Sequence, residues 1–173
     1  MSERLMNERL MTAAKNLVPM ILANLDRIES ECQLPAELAA ALAKEALFGL
    51  YLPESLGGPE SDPITAFHVV EELSKADGSV GWCSFNGTAI TAASAWLPVP
   101  VARKMFGDPP DIRASGSART EGIARVTEGG YLVSGRWNYL SGVDHAKCLF
   151  LNCDLVDDNG PVLAENGIPV TRV

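Results

Sequence analysis

The stretch GGYLVSGRWNYLSGVDHA, residues Gly129–Ala146, decides how the second half of this chain is read. Its Gly-Gly opening is a turn signal, and the alternation after it predicts a strand. Successive side chains of a strand point to opposite faces. Tyr131, Val133, Trp137, Tyr139 and Ser141 then share one face, and Ser134, Arg136 and Asn138 the other. An indole, a phenol and a hydroxyl follow one another at every second residue, and the run closes on Gly142, Asp144 and His145. Two readings fit. One is a half-buried antiparallel strand whose aromatics pack on a core. The other is a wall for a flat heteroaromatic ligand: rings to stack on, a hydroxyl to hydrogen-bond a ring heteroatom, and a glycine that lets the backbone approach.

Around this stretch the period is two. IRASGSA, AKCLFLNCDLV and PVTRV also read as strands, with turns at Gly129-Gly130, Asn159-Gly160 and Asn166-Gly167. Upstream the period is that of a helix. Leu10, Ala14, Leu17, Val18, Ile21, Leu25 and Ile28 form one apolar stripe. Pro35 opens a second helix carrying Leu38, Leu42 and Leu47. YLPESLGGPESDP is a loop, and Asp62-Pro63 a cap and first-turn proline for a third helix. Ser79 is the expected cap of a long apolar helix to Trp96, broken by Pro98 and Pro100, and VARKMF is a short helix stopping at Gly107. Helices followed by strands predict an α+β fold. The expected division is an N-terminal all-helical domain over residues 1–108, then an incomplete antiparallel β-domain over residues 109–173. So few strands need further elements to cover their faces and edges.

Composition narrows the function. The net charge is −8, with acids and bases interspersed. That opposes nonspecific binding to nucleic acid or anionic membrane and favours solubility. No charge-free apolar run reaches membrane-spanning length, and the charged start MSERLMNERLMTAAKN is no secretory signal, so the cytoplasm is the expected compartment. Cys32, Cys83, Cys148 and Cys153 are scattered and read as free thiols, and with His68 and His145 alone no histidine metal site is expected. There is no GxGxxG or GxxxxGK loop. The Asn86-Gly87-Thr88 triplet reads as a chance sequon.

Two motifs together carry a family resemblance. PAELAAALAKEALFGLYLPESLGGPESDPITAFHVVEELSKADGSVGW, Pro35–Trp82, resembles the N-terminal helical domain of the acyl-CoA dehydrogenase superfamily, with its Leu-Pro-Glu-x-x-Gly-Gly loop, Glu-Glu-Leu helix and Asp-x-Ser turn. GGYLVSGRWNYLSGVDHA resembles that family's flavin-facing strand. The resemblance implies an FAD-type flavin against this strand, with Tyr139 at the position of an aromatic beside the ring system and Ser141 at that of a hydroxyl near flavin N5. Trp137 is a binding or a structural residue. RASGS, Arg113–Ser117, matches the strand that meets the flavin pyrimidine, which makes Ser115 and Ser117 further candidates. His145 reads as part of a capped turn rather than a proton-transfer group.

The branch within the superfamily follows from what differs. ASGSARTEGIARVTEGGY lacks the longer Thr-Glu-Pro loop usual in acyl-CoA dehydrogenases, and the form of the flavin strand is closer to two-component flavin hydroxylases. Those take reduced flavin, FMN or FADH2, from a reductase partner, and use dioxygen on cyclic substrates. GWCSFNGTAITAAS carries no histidine where such hydroxylases often do. The alternatives are an acyl-CoA dehydrogenase oxidising the CH–CH group of an acyl-CoA with FAD, and a non-catalytic remnant that survives as a folded fragment or binds a partner. Family members complete the site and a homo-oligomer with a C-terminal helical bundle, so the 173-residue chain alone is expected to hold one wall of the pocket and to be inactive.

Overall fold

The structure, a computed structural model, describes residues 3–106, 111–166 and 168–172. The expected domain boundary at 108/109, with Gly107 and Pro110 beside it, and Gly167 of the last expected turn lie outside the described residues. Among the described residues six α-helices precede the strands: α1 Glu3–Leu22, α2 Leu25–Glu31, α3 Ala36–Lys44, α4 Pro63–Ala76, α5 Gly78–Ala92 and α6 Val99–Phe106. Then come β1 Ala114–Thr127, β2 Gly130–Gly135, β3 Cys148–Asp157, β4 Gly160–Pro161 and β5 Thr171–Arg172. The order is the helices-then-sheet order predicted from periodicity. No described helix is long and apolar enough to cross a membrane.

The chain divides into two compact units, Met1–Ser115 with Ser141–Cys148, and Gly116–Leu140 with Leu149–Val173. The first is helical. Its core is built of Leu10, Ile21, Leu38, Leu42, Phe48, Val69, Leu73 and Val80, all inaccessible to solvent. The single stripe expected to run to Ile28 is interrupted at Asn24, whose side-chain amide donates to Met20 O at 2.8 Å while its N–H turns back to Ile21 O. Asparagine side chains compete with the helical ladder in this way. Asp62 caps α4 as expected: its Oδ1 accepts from the N–H groups of Ile64 and Thr65 at 2.9 and 3.1 Å, with Pro63 in the first turn. The cap of α5 is Asp77 rather than Ser79, because the helix starts at Gly78 and Asp77 Oδ1 takes the Val80 N–H at 2.9 Å. α5 ends at Ala92 and continues to Trp96 as a 3-10 turn.

The second unit holds most of the sheet, whose strand order is β2-β1-β3-β4, with β5 also on β3. β1 and β2 form the hairpin predicted at Gly129-Gly130, pairing Thr127 with Gly130 through to Gly122 with Gly135. β3 turns into β4 at Asp157 and Gly160. Both ladders, and that of β3 with β5, are antiparallel. The sheet is nevertheless mixed rather than purely antiparallel. Lys147 N–H bonds Arg113 O, and Asn152 Nδ2 bonds Ala118 O, the same 34-residue offset, so β1 and β3 run side by side in one direction. The core of this unit is small: Ala124, Cys153 and Leu155, with Trp137, Val162 and Val170 packed on them. Every residue of β2 is exposed.

The cap supplies a stability test. Asp62 also accepts from Asn7 Nδ2 at 2.8 Å, and these hydrogen bonds, chiefly from Thr65, hold its carboxyl below the usual range. Such a group stabilises the fold above its unfolded pKa, and the gain is lost as pH falls through the folded value. Asp62→Ala should lower stability at pH 7 by about 1 kcal/mol, with a smaller difference in strong acid, where wild type has lost the charge. Urea unfolding of both proteins at the two pH values checks this.

Candidate functional site

The helical unit takes in one short segment that lies beyond its helices in sequence. Ser141–Cys148 carries a 3-10 turn, Val143–His145, and is fastened to α5 and the start of β1 by side chains. Three donors converge on Ser141. The Trp82 indole N–H donates to its hydroxyl at 2.8 Å. Its carbonyl accepts from Asn86 Nδ2 at 2.8 Å and from the hydroxyl of buried Ser115 at 2.9 Å. Trp82 and Asn86 stand four residues apart on α5 and so share a face.

Why α5 offers this face follows from its sequence. Apart from Val80 near its start, its buried residues are small, Gly81, Ser84, Gly87, Thr88 and Thr91, and Ser84 spends its hydroxyl on Leu47 O. With the small residues inside, the large ones face outward: Trp82 is 56% exposed and Phe85 49%, with ring centroids 5.5 Å apart. Beside Phe85 lies an apolar cleft of about 230 Å³ between α4 and α5, walled by Tyr51, Phe67, Val70 and Ala89.

Behind Ser141 the turn is held by packing. Gly142 has φ +82°, a conformation side chains resist, and a Cβ there would come within 3.0 Å of the His145 ring. That ring stacks on fully buried Phe48 at 4.8 Å and 22°. Burial, then the neighbouring Arg113 charge, pulls the His145 pKa below its ordinary value, and Asp144 opposes them. Burial pushes the nearby Cys83 thiol up to about 11, helped by Asp77 and Asp144, so it stays protonated at neutral pH and is a poor nucleophile. Both side chains line a cavity of about 330 Å³ with Cys32, Ser79 and Asp144. Among the described residues no group of side chains could hold a metal ion.

The other sequence-predicted residues belong to the second unit. The strand expected to carry Trp137, Tyr139 and Ser141 on one face ends at Gly135. Strand parity requires continuous extended backbone, and Tyr139 at φ +60° followed by Gly142 at +82° breaks it. Trp137 lies over Gly122, where a Cβ would come within 2.0 Å of its ring, and its N–H donates to Asn152 O at 2.9 Å. Asn138 N–H donates to Glu121 at 2.8 Å, which lowers the pKa of that carboxyl. Between them and Ser141, Tyr139 stands 81% exposed, with the Arg119 guanidinium 6.0 Å from its ring centre. Ser117 is nearly buried, and its hydroxyl accepts the Arg119 N–H at 3.2 Å. Of the five expected residues, then, Ser115 and Ser141 are directly bonded to each other, Trp137 is a packing residue of its sheet, and Tyr139 projects into solvent. Trp82 and Asn86 were not singled out from sequence. The signal for them was a tryptophan and an asparagine at helical spacing, opposite a stripe of small residues.

The fold and the turn agree with the class: residues 3–96 match the family described as acyl-CoA dehydrogenase, N-terminal domain, and the chain belongs to it. Its relatives are more particular. HsaA of Mycobacterium tuberculosis, the oxygenase subunit of a flavin-dependent monooxygenase, is 32% identical over 159 residues, 90% of this chain and 39% of that protein. The crystal structure of the M. tuberculosis HsaA monooxygenase matches with a TM-score of 0.81 at 31% identity, over 95% of this chain and 41% of the other. XiaF from Streptomyces sp., in complex with FADH2 and glycerol, matches with a TM-score of 0.83 at 25% identity, over 97% and 41%. The chain spans about two fifths of the length of these relatives.

The shift of His145 can be read directly. Its folded pKa lies below the unfolded value, so the unfolded state binds more protons near pH 6 and stability falls as pH drops through the histidine range. In a proton NMR titration the His145 ring should show a midpoint below about 6.5, and a midpoint at or above it would contradict the buried, stacked placement. His145→Phe should flatten the fall in urea midpoint between pH 7.5 and 5.5.

Proposed function

We propose that this chain is the N-terminal part of the oxygenase component of a two-component flavin-dependent monooxygenase, which hydroxylates an apolar cyclic small molecule. The reduced flavin, FADH2 by preference and FMN as the alternative, comes from a partner reductase. The observation that carries the reading is the state of Ser141. Its carbonyl is taken by two donors and its hydroxyl oxygen by the Trp82 N–H, all at 2.8–2.9 Å. A hydroxyl has one proton and two lone pairs, so Ser141 keeps its proton and one lone pair. It can donate to an unprotonated ring nitrogen or accept from a protonated one, which suits a cofactor whose ring nitrogen changes protonation with oxidation state.

Ser141 would hold the flavin, and Tyr139, Ser117, Ser115 and Trp137 are the further residues assigned to it. Tyr139 would serve through its exposed ring, Ser115 by fixing the Ser141 carbonyl, and Trp137 by shaping the loop that carries Tyr139. The chemistry a bound reduced flavin would supply is two electrons to dioxygen, so that one oxygen atom could go to the substrate and the other leave as water. The chain's own part is to orient the ring through Ser141 and to keep water away. The outward rings of Trp82 and Phe85 and the cleft lined by Phe67 and Val70 provide an apolar wall for the substrate. The monooxygenase relatives favour this chemistry over CH–CH oxidation of an acyl-CoA. We extend the reading to a cytoplasmic homo-oligomer, in keeping with the net charge of −8 and with apolar side chains such as Ile64, Phe67 and Trp96 exposed on the helices.

The test is Ser141→Ala in the protein as encoded in full, supplied with chemically reduced flavin, air and an aromatic substrate panel. One hydrogen bond is worth about 0.5–1.5 kcal/mol, so flavin affinity should fall by no more than about tenfold. Loss of orientation at the reacting ring should cost more, on the order of 100-fold in the rate of oxygenated product. An unchanged rate would remove Ser141 from the chemistry. Wild type that forms no oxygenated product, and instead reduces its flavin with an acyl-CoA under anaerobic conditions, would reverse the assignment.

A further inference from the structure

We infer that Trp82 is a positioning residue of the flavin site: its indole N–H sets the rotamer of Ser141 and directs the remaining hydroxyl proton outward, while Asn86 locks the same residue through its carbonyl. The inference rests on the reading that Ser141 meets the flavin. What carries it is the convergence of one helix face on one residue. Trp82 Nε1 and Asn86 Nδ2, one turn apart on α5, each lie 2.8 Å from an acceptor of Ser141. A free serine side chain samples three staggered rotamers. With the backbone pinned at the carbonyl by Asn86 and Ser115, and Gly142 wedged against the His145–Phe48 stack, the side-chain torsion is the freedom left, and the indole N–H removes it.

The choice of tryptophan is informative. An N–H donor with no acceptor of its own cannot take the serine proton, so the bond has one polarity only. A tyrosine or histidine could reverse it and turn the hydroxyl inward. Trp82 is also half-exposed, and its ring lies at 5.5 Å from Phe85, so its placement is not explained by core packing. Burial of the rings of α5 would have been the simpler arrangement for stability, and beyond Val80 the helix instead buries glycine, serine and threonine.

Two measurements separate this inference from the reading it rests on. The first needs no flavin. In nitrogen–proton correlation spectra the Trp82 indole signal, assigned by its loss in Trp82→Phe, should exchange slowly with solvent, and Ser141→Ala should shift it and speed its exchange at least severalfold. An indole signal indifferent to Ser141→Ala overturns the inference, whatever the flavin does. The second uses the holoprotein and replaces the Trp82 indole by its benzothiophene isostere, which keeps the ring and removes the N–H. Oxygenated product per flavin oxidised should fall about 3- to 10-fold with little change in flavin affinity, and the isostere should cause no further loss in a Ser141→Ala background. If Ser141→Ala lowers the yield and the isostere does not, Trp82 is a wall and not a positioner. If neither changes it, the flavin reading fails and takes the inference with it.

Discussion

The hydrogen bonds that converge on Ser141 are the constraint around which the first unit is organised. Residues 141–148 are far in sequence from the helices, yet they belong to the helical unit because Asn86, Ser115 and Trp82 hold them there. Buried or half-buried polar groups must find partners. Here the three partners of one residue come from two parts of the chain, α5 and the start of β1, and together they convert an irregular turn into a fixed feature. The Phe48–His145 stack and the positive φ of Gly142 serve the same end from the other side. A turn fixed in this way can present a hydroxyl without giving it freedom, which is what orienting a reactive ring asks of a protein.

The second unit shows the opposite economy. Its core cluster joins Ala124, Cys153 and Leu155 with three partly buried residues packed on them, and every residue of its strand β2 is exposed. What order it has near the flavin motif comes from particular contacts: Trp137 over Gly122 and onto Asn152 O, and Asn138 on Glu121. Between these and Ser141, Tyr139 occupies the left-handed region with its ring in solvent. A non-glycine residue there costs roughly 1–3 kcal/mol unless its surroundings impose it, and such residues gather at sites where a side chain must be aimed.

Local chemistry made much of the fold legible. Asp62-Pro63 fixed the start of α4, Gly129-Gly130 the β1–β2 hairpin, and the shift from a period of 3.6 to a period of two the order of helices and strands. Two of the misreadings are contests between side chains close in sequence, and the third turns on a strand far along the chain. Asn24 ended an apolar stripe that would have continued, Asp77 displaced Ser79 as a cap, and β1 and β3 lined up in parallel although every turn signal pointed to hairpins. The site divided along the same line. Ser141 and Ser115 were readable from a motif, whereas Trp82 and Asn86 act on a residue 59 and 55 positions away, a relation that no window of local sequence contains.

Beyond Val80, helix α5 is built inside out, with glycine and hydroxyl residues toward the protein and tryptophan and phenylalanine toward the outside. Anyone engineering this protein by hydropathy would treat Trp82 and Phe85 as a solubility defect to be made polar, and Gly81 or Ser84 as a gap to be filled. Both changes would be mistaken. A Cβ at Gly81 would fall 1.9 Å from Ser74 Oγ, so the filled gap forces the two helices apart. The polar replacement at position 82 would improve handling while unfastening the turn that carries Ser141. On this helix the residues that look dispensable hold the spacing, and those that look misplaced hold the site.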